Sequence, residues 1–156
     1  MSTLLIKNAQ CVATFDDVNP AKGRELLQAS VFVRDNLIES IGPAADLPQT
    51  ADEVIDARGH LVMPGLINTH HHMCQSLTRA IPAVQNAELF SWLHGLYPIW
   101  SGLTPEMIRV STQVAMAELL MSGCTTSSDH LYIYPNRVRL DDSIEAARQI
   151  GMRFTA

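Results

Sequence analysis

The character of the sequence changes at the stretch Met63-Pro64-Gly65-Leu66-Ile67-Asn68-Thr69-His70-His71-His72. The Pro-Gly pair predicts a break, and the apolar residues after it predict a short buried strand that ends in polar residues. Because side chains alternate along an extended segment, His70 and His72 are expected on one face and His71 on the other. Two imidazoles on one face can bind one metal ion through neutral ring nitrogens. A chance surface cluster or an oligohistidine scar would produce the same triplet.

The residues before this stretch are typical of a small all-β unit, residues 1–64. Short apolar runs at 4–6 and 54–57 predict strands. The dipeptide Asp35-Asn36 separates two further apolar runs and predicts a hairpin turn between them. We expect no helix of useful length before residue 60.

The residues after it predict parallel βα units, residues 65–156. A short helix over 88–94 is expected to be ended by Pro98. A longer helix is expected to begin after the N-cap residue Thr104 and to end at Gly123. Spacings of three and four residues predict one apolar stripe along this helix, made of Met107, Val110, Val114, Ala117 and Met121.

The last third of the chain continues the same alternation. We expect a strand over 124–128 and a further strand from Met152. Between them we expect a helix that begins at residue 141 or 142, ends at Ile150 and is terminated by Gly151. Asp142 and Glu145 stand three apart, as in a capping box. The βα portion has 156 − 64 = 92 residues, which is room for about three strands. A closed (β/α)₈ barrel needs about 250 residues, so the chain is expected to be the front part of a larger α/β protein.

The composition argues against several classes of function. The 11 Lys+Arg against 16 Asp+Glu leave a net charge of −5, which disfavours a nucleic-acid partner. No run approaches the roughly 18 apolar residues of a membrane span, and no secretory signal opens the chain. The three cysteines are odd in number, far apart and without a C-x-x-C pair. They argue against a disulfide framework or a thiolate zinc site and indicate a cytoplasmic location.

Two segments resemble the amidohydrolase superfamily, and within it the branch of guanine deaminases, 8-oxoguanine deaminases and triazine hydrolases. They are P-G-L-I-N-T-H-H-H-M-C-Q-S-L-T-R, residues 64–79, and L-L-M-S-G-C-T-T-S-S-D-H, residues 119–130. The resemblance covers essentially all of this chain but only the front part of a protein usually more than twice as long. It implies the first part of a (β/α)₈ TIM-type barrel, incomplete in this chain and preceded by a small β-sandwich subdomain.

The resemblance also implies a site. His70 and His72 match the family's His-x-His and would bind one divalent metal ion, zinc or, as the alternative, iron. Gln75 matches a glutamine that reads the edge of a purine, His130 would contact the substrate, and Trp92 belongs to an aromatic segment that would cover it. The family's general acid and base lie on strands outside this sequence, so no catalytic residue is assigned.

Each of these assignments competes with an ordinary structural role. Gln75 would then be a solvated loop residue, His130 a surface or capping histidine, and Trp92 a packing residue. Asp129 is expected to bond to backbone near its strand end, and Cys74 to fill space in the core.

The function that the resemblance implies is that of a zinc-dependent aminohydrolase, of which this chain is the N-terminal portion. It would deaminate a purine-like heterocycle, 8-oxoguanine or guanine, and release ammonia. A triazine hydrolase of the same branch is one alternative, and a truncated metal-binding fragment without catalysis is another. The expected partner is a small heterocyclic substrate, and a homo-oligomer is left open. The isolated chain is expected to be inactive, marginally stable and prone to associate through unpaired strand edges.

Overall fold

The chain divides at the Pro-Gly break into two units, Met1–Pro64 and Gly65–Ala156. The computed structural model describes residues 1–16 and 24–156. Across these residues, none of the helices combines the length and the apolar character that a membrane crossing needs. All three cysteines lie in the described ranges and are free thiols.

One five-stranded sheet forms the first unit. Its strands are β1 (Thr3–Ala13), β2 (Glu25–Arg34), β3 (Leu37–Pro43), β4 (Glu53–Asp56) and β5 (Leu61–Val62). The strand order is β3-β2-β1-β4, and β5 also pairs with β1. The pairs β1–β2 and β2–β3 are antiparallel, whereas β4 and β5 run parallel to β1.

The predicted hairpin is confirmed. Asp35-Asn36 connects β2 to β3, and Arg34 pairs with Leu37 across the turn. Asp35 adopts a φ of 54°, in the left-handed region that a short polar side chain tolerates. Its Oδ1 accepts a hydrogen bond from the backbone N–H of Ser2 at 2.8 Å, which ties the turn to the start of the chain.

Apolar side chains of the first unit form two separate buried clusters. Adjacent pairs along β1 and β2 fall in different clusters: Leu5 pairs with Phe32, and Ile6 pairs with Val31. This division follows from the alternation of side chains between the two faces of a sheet. The buried members of the two clusters are Ala9, Val12, Ala29, Val31 and Ala57 for one, and Leu5, Phe32 and Leu47 for the other.

Two short 3₁₀ helices, Met73–Thr78 and Pro82–Val84, belong to the second unit. Its main elements are three parallel strands and three α-helices. In chain order they are β6 (Leu66–Asn68), α1 (Leu89–Trp100), α2 (Pro105–Met121), β7 (Cys124–Ser128), α3 (Leu140–Ile150) and β8 (Arg153–Thr155). The strand order is β6-β7-β8, and both pairs are parallel. The carboxyl ends of parallel strands lie at the same edge of a sheet, so the segments that follow β6 and β7 meet there.

Pro98 does not end the first helix, so that prediction was wrong. α1 continues through Pro98 to Trp100. A proline inside a helix removes one backbone hydrogen bond, and its ring crowds the carbonyl group four residues earlier. The buried indole of Trp100 holds the last turn of α1 in place, because it packs in the core and its Nε1–H donates to Thr78 Oγ1 at 3.0 Å. Packing of the helix end therefore outweighs the proline.

The second helix begins and ends as predicted, but its buried face differs from the predicted stripe. Thr104 Oγ1 accepts from the Met107 N–H at 3.3 Å, and Gly123 follows the helix with a φ of 85°. The stripe is largely exposed, with Val114 at 42% and Met121 at 90% of full exposure. The buried residues of α2 are Ile108, Ser111, Thr112, Ala115 and Met116. Small side chains on this face allow close packing against α3 and the Met73–Thr78 segment.

The start of α3 also differs from the prediction. Asp142 is not the N-cap but the third residue of the helix, and its Oδ2 accepts from the backbone N–H of Arg139 at 2.8 Å. Glu145 faces along the helix and accepts from Gln149 Nε2. The end of the helix at Gly151, with a φ of 82°, is confirmed. The helix begins earlier than predicted because Leu140 enters it and packs against the buried apolar cluster that contains Trp100.

Candidate metal centre

His70 and His72 lie side by side, but not because of strand alternation. β6 ends at Asn68, two residues before His70, so both imidazoles belong to the loop that follows. This loop starts with a hydrogen bond from the His70 N–H to Asn68 Oδ1 at 3.0 Å. The centroids of the two rings are 5.0 Å apart, with the rings perpendicular. Two imidazoles that share one zinc ion through bonds of about 2.0–2.1 Å have centroids about 5 Å apart, so the separation of the two rings matches that of a shared ion.

One ring nitrogen of His72 is committed to a protein contact. Its Nδ1 lies 2.9 Å from the backbone carbonyl oxygen of His130. A carbonyl oxygen only accepts, so Nδ1 carries the proton and the lone pair is on Nε2. A metal-binding histidine is oriented by this kind of contact, because the partner sets both the tautomer and the plane of the ring. His72 is therefore prepared to bind a cation through Nε2.

The third imidazole nearby is that of His130. Its ring centroid lies 5.4 Å from that of His70 and 5.6 Å from that of His72. Over residues 1–16 and 24–156, however, no group of three or more His, Cys, Asp or Glu side chains is arranged to hold a metal ion. The described residues thus offer two imidazoles, and a catalytic zinc ion usually has three protein ligands.

Gln75 lies beside the histidines and makes a contact that the sequence analysis missed. Its Nε2 donates to Tyr132 Oη at 2.9 Å. The ring of Tyr132 stands edge-on against His72, with centroids 5.2 Å apart, and also meets Trp100 at 6.2 Å. Burial raises the pKa of the Tyr132 phenol, so this group stays protonated and can donate. No motif pointed to Tyr132, which is 57 residues away from Gln75.

A shallow depression of about 280 Å³ lies beside the histidine loop. It is lined by His70, His71, His72, Gln75, Ser76 and Arg79. Neither His130 nor Trp92 lines it. The indole of Trp92 packs edge-on against Trp100, with centroids 5.3 Å apart, and borders a different depression together with Val84. The substrate roles of Trp92, Gln75 and His130 stay predictions.

Asp129 is buried behind the histidine loop, with 4% of its surface exposed. Its Oδ1 accepts from the backbone N–H of Met73 at 2.8 Å, across 56 residues of sequence. Burial raises the pKa of its carboxyl, and the hydrogen bond from Met73 opposes that rise. The backbone N–H of the neighbouring His130 lowers the same pKa, as the expectation of a local backbone bond implies, and the bond from Met73 is an addition made by the fold.

Two further groups near the loop are kept neutral by burial. Burial lowers the pKa of His71, although nearby Asp129 opposes this effect. Burial also raises the pKa of the Cys74 thiol to about 11, and Cys74 lies 1% exposed in the apolar cluster around Trp100. A thiol in that state is a packing group rather than a nucleophile or a ligand.

Comparisons with known proteins agree with this geometry. The model of the amidohydrolase family matches residues 61–156. An 8-oxoguanine deaminase from Pseudomonas aeruginosa is 40% identical over 156 residues, 98% of this chain and 33% of that protein. A hydroxydechloroatrazine ethylaminohydrolase from Pseudomonas sp. strain ADP is 38% identical over 149 residues, 86% of this chain and 31% of that protein.

A solved structure resembles the whole chain. It is the atrazine chlorohydrolase from Arthrobacter aurescens TC1 complexed with zinc, with a TM-score of 0.86, 33% identity, and coverage of 97% of this chain and 34% of that one. The chain thus spans about a third of the length of the relatives it matches. The fold prediction is confirmed, since the parallel βα units are the first part of the barrel in these relatives. With a family model that matches more than half of its residues, this chain belongs to the amidohydrolase family.

Proposed function

We propose that this chain is the N-terminal portion of a zinc-dependent aminohydrolase that deaminates a purine-like heterocycle, 8-oxoguanine or guanine, with release of ammonia. The observation that carries the proposal is the imidazole pair of His70 and His72, 5.0 Å apart, in which His72 Nδ1 is held by a backbone carbonyl. Residues 1–64 would be the N-terminal part of a small β-sandwich subdomain, and residues 65–156 the first two to three βα units of the barrel.

The chemistry divides between a bound metal ion and this chain's side chains. A divalent metal ion held by the two imidazoles would supply a Lewis acid that lowers the pKa of a bound water molecule to about 7. His70 and His72 would bind this ion through neutral rings, and the contact of His72 with the His130 carbonyl keeps its ring in the binding orientation. Gln75 lines the depression beside the two histidines, and the His130 ring lies 5.4 Å and 5.6 Å from theirs, so both side chains would contact the heterocycle.

The polar groups beside the histidines suit a heterocycle with a lactam edge. Gln75 uses one N–H of its amide on Tyr132, which leaves Gln75 Oε1 to accept and the Tyr132 O–H to donate. A lactam offers the complementary N–H and C=O side by side. The 8-oxoguanine deaminase at 40% identity supports an oxopurine as the substrate class.

The general acid and base would come from sequence beyond these 156 residues, since the relatives are about three times as long. A cytoplasmic location and a homo-oligomeric assembly stay predictions. The second candidate function is a triazine hydrolase. The observation in its favour is the structural match to the zinc-complexed atrazine chlorohydrolase, with a TM-score of 0.86.

The first experiment measures zinc binding to this chain by competition with a fluorescent chelator. We expect His70→Ala and His72→Ala each to weaken zinc binding at least tenfold, because each removes one of two ligands. The matched control is His94→Ala, an exposed histidine on α1 outside the site. Unchanged zinc affinity in both site variants would contradict the metal assignment.

The second experiment tests the reaction on the full-length protein. Ammonia release is measured with 8-oxoguanine, guanine and a hydroxytriazine as separate substrates. Faster turnover of the oxopurines supports the proposal, and faster turnover of the triazine favours the second candidate. Ammonia release from none of them, by a protein loaded with zinc, would leave a metal-binding protein without this activity.

A further inference from the structure

We propose that Asp129 is a positioning residue for the metal-binding histidines. Its carboxylate holds the loop that carries His70 and His72 by accepting the backbone N–H of Met73. This inference rests on the proposed function, because it gives Asp129 a role toward the metal ion that the two imidazoles would bind. Asp129 itself would touch neither the metal ion nor the substrate.

Three successive residues of the histidine loop are joined to the end of β7. The carbonyl oxygen of His71 accepts from the backbone N–H of His130 at 2.9 Å. His72 Nδ1 donates to the carbonyl oxygen of His130, also at 2.9 Å. The N–H of Met73 donates to Asp129 Oδ1 at 2.8 Å. Residues 71–73 are therefore held by two consecutive residues, 129 and 130.

The bond from Asp129 differs from the other two in its surroundings. Met73 is fully buried and Asp129 is 4% exposed, so water does not compete for this hydrogen bond. Met73 is the first residue of the 3₁₀ helix Met73–Thr78, and the first N–H groups of a helix have no partner within the helix. The Asp129 carboxylate supplies that partner.

Asp129 is in turn fixed by the sheet. Its backbone N–H donates to the carbonyl oxygen of Thr155 at 3.0 Å, at the end of β8. The carboxylate is thus attached to the rigid part of the unit, whereas the histidine loop has no sheet pairing of its own after Asn68. This chain of contacts runs from β8 through Asp129 to Met73 and the adjacent His72.

Apart from its charge interactions with His71 and His72, the contact that accounts for this buried carboxylate is the bond from Met73. Among the described residues, Asp129 Oδ2 is buried and has no hydrogen-bond partner, and Asp129 makes no ion pair. Burying a carboxylate with one oxygen unpaired is unfavourable, and an apolar side chain of the same shape would avoid that penalty. The bond to Met73 is what such a side chain could not make.

The test compares three variants that separate shape, hydrogen bonding and charge. Asp129→Asn keeps the shape and an acceptor oxygen but removes the charge. Asp129→Leu keeps the shape but has no acceptor. Thr104→Ala removes a different side-chain acceptor, the N-cap of α2, and controls for a general loss of stability. Each variant is measured for zinc affinity by chelator competition and for hydrogen exchange of the Met73 amide by NMR without metal.

We expect Asp129→Leu to weaken zinc binding about 10- to 100-fold, the range found when an outer partner of a metal ligand is removed. The Met73 amide should exchange at least tenfold faster in that variant. Asp129→Asn should keep both values within about threefold of the wild type, and so should Thr104→Ala. If Asp129→Leu does not fold, Asp129→Ala replaces it in the same comparison.

Two results would overturn the inference. One is wild-type zinc affinity in Asp129→Leu, and the other is an equal loss in Asp129→Asn and Asp129→Leu, which would assign the effect to charge. Failure of the proposed function gives a separate result: zinc affinity would then be unchanged in His70→Ala and His72→Ala. The exchange rate of the Met73 amide is read without metal and reports on the tether in either case.

Discussion

His72 shows how a contact distant in sequence prepares one side chain. Its Nδ1 meets the carbonyl oxygen of a residue 58 positions later in the chain. The tautomer and the orientation of the ring both follow from that contact, and the free Nε2 follows from the tautomer. The property that makes His72 a candidate ligand therefore depends on the pairing of β6 with β7.

Arg79 and Glu118 provide a test at the residue scale. Arg79 donates to both carboxylate oxygens of Glu118, at 3.0 and 2.7 Å. The bond from Arg79 lowers the pKa of the Glu118 carboxyl. We expect Arg79→Gln to raise this pKa toward its ordinary value of 4.5, as measured by NMR titration of the carboxyl carbon. Arg109→Gln, on the same helix as Glu118, is the control and should leave the pKa unchanged.

The sign of the pH effect follows from this direction. Because the pKa of Glu118 is lower in the folded chain, its stabilising contribution is present above the ordinary pKa and is lost as the pH falls through the folded value. Both side chains are about half exposed, so the ion pair is screened and the unfolding free energy at neutral pH should barely change in Arg79→Gln. A pKa of Glu118 that does not move would show that the pair is absent in solution.

At the scale of elements, helix ends follow local rules more closely than helix faces do. Thr104 caps α2 and Gly151 ends α3, as their residue types predict. Pro98 is an exception, because α1 continues through it. Burial of the end of α1 outweighs the hydrogen bond that the proline removes. Where a helix ends depends on four or five neighbouring residues, whereas which of its faces is buried depends on packing against the rest of the unit.

Gly151 provides the test at this scale. It has a φ of 82°, and a Cβ added there would meet no atom within 4 Å. The cost of Gly151→Ala is therefore backbone strain alone, and we expect a loss of about 1 kcal/mol in the free energy of unfolding. Gly151→Asn should lose clearly less, because asparagine tolerates the left-handed region. Equal losses in the two variants, measured by urea denaturation, would contradict this account of the helix end.

At the scale of the whole molecule, each unit exposes apolar surface. In the second unit, Leu66 and Ile67 of β6 are 51% and 69% exposed, and β6 pairs only with β7 among the described strands. The apolar stripe of α2 is exposed in the same unit. An unpaired strand edge and an apolar helix face both favour association.

We therefore expect this chain to self-associate as its concentration rises. Val114→Lys together with Met121→Lys should reduce association, measured by sedimentation velocity, because both side chains lie on the exposed stripe. Their exposure also predicts a change in unfolding free energy within about 0.5 kcal/mol per substitution. Gln85→Lys with Asn86→Lys adds the same charge outside the stripe and should leave association unchanged. Equal effects of both pairs would assign association to net charge.

Much of the architecture follows from the sequence alone. The hairpin at Asp35-Asn36, the cap at Thr104 and the helix end at Gly151 depend on a few consecutive residues with restricted backbone preferences. The alternation of strands and helices after residue 64 is likewise a local periodicity. The closeness of His70 and His72 belongs to this group in part, since only one residue separates them.

Tertiary structure decided what these elements face and which distant groups meet. It buried the side of α2 that carries Ser111 and Ala115, because close packing against α3 needs small side chains more than apolar ones. It brought Tyr132 to Gln75 and Asp129 to Met73 across more than 50 residues. Contacts of this kind exist only once β6 and β7 pair, and that pairing joins segments that are distant in the sequence, such as Leu66 with Cys124.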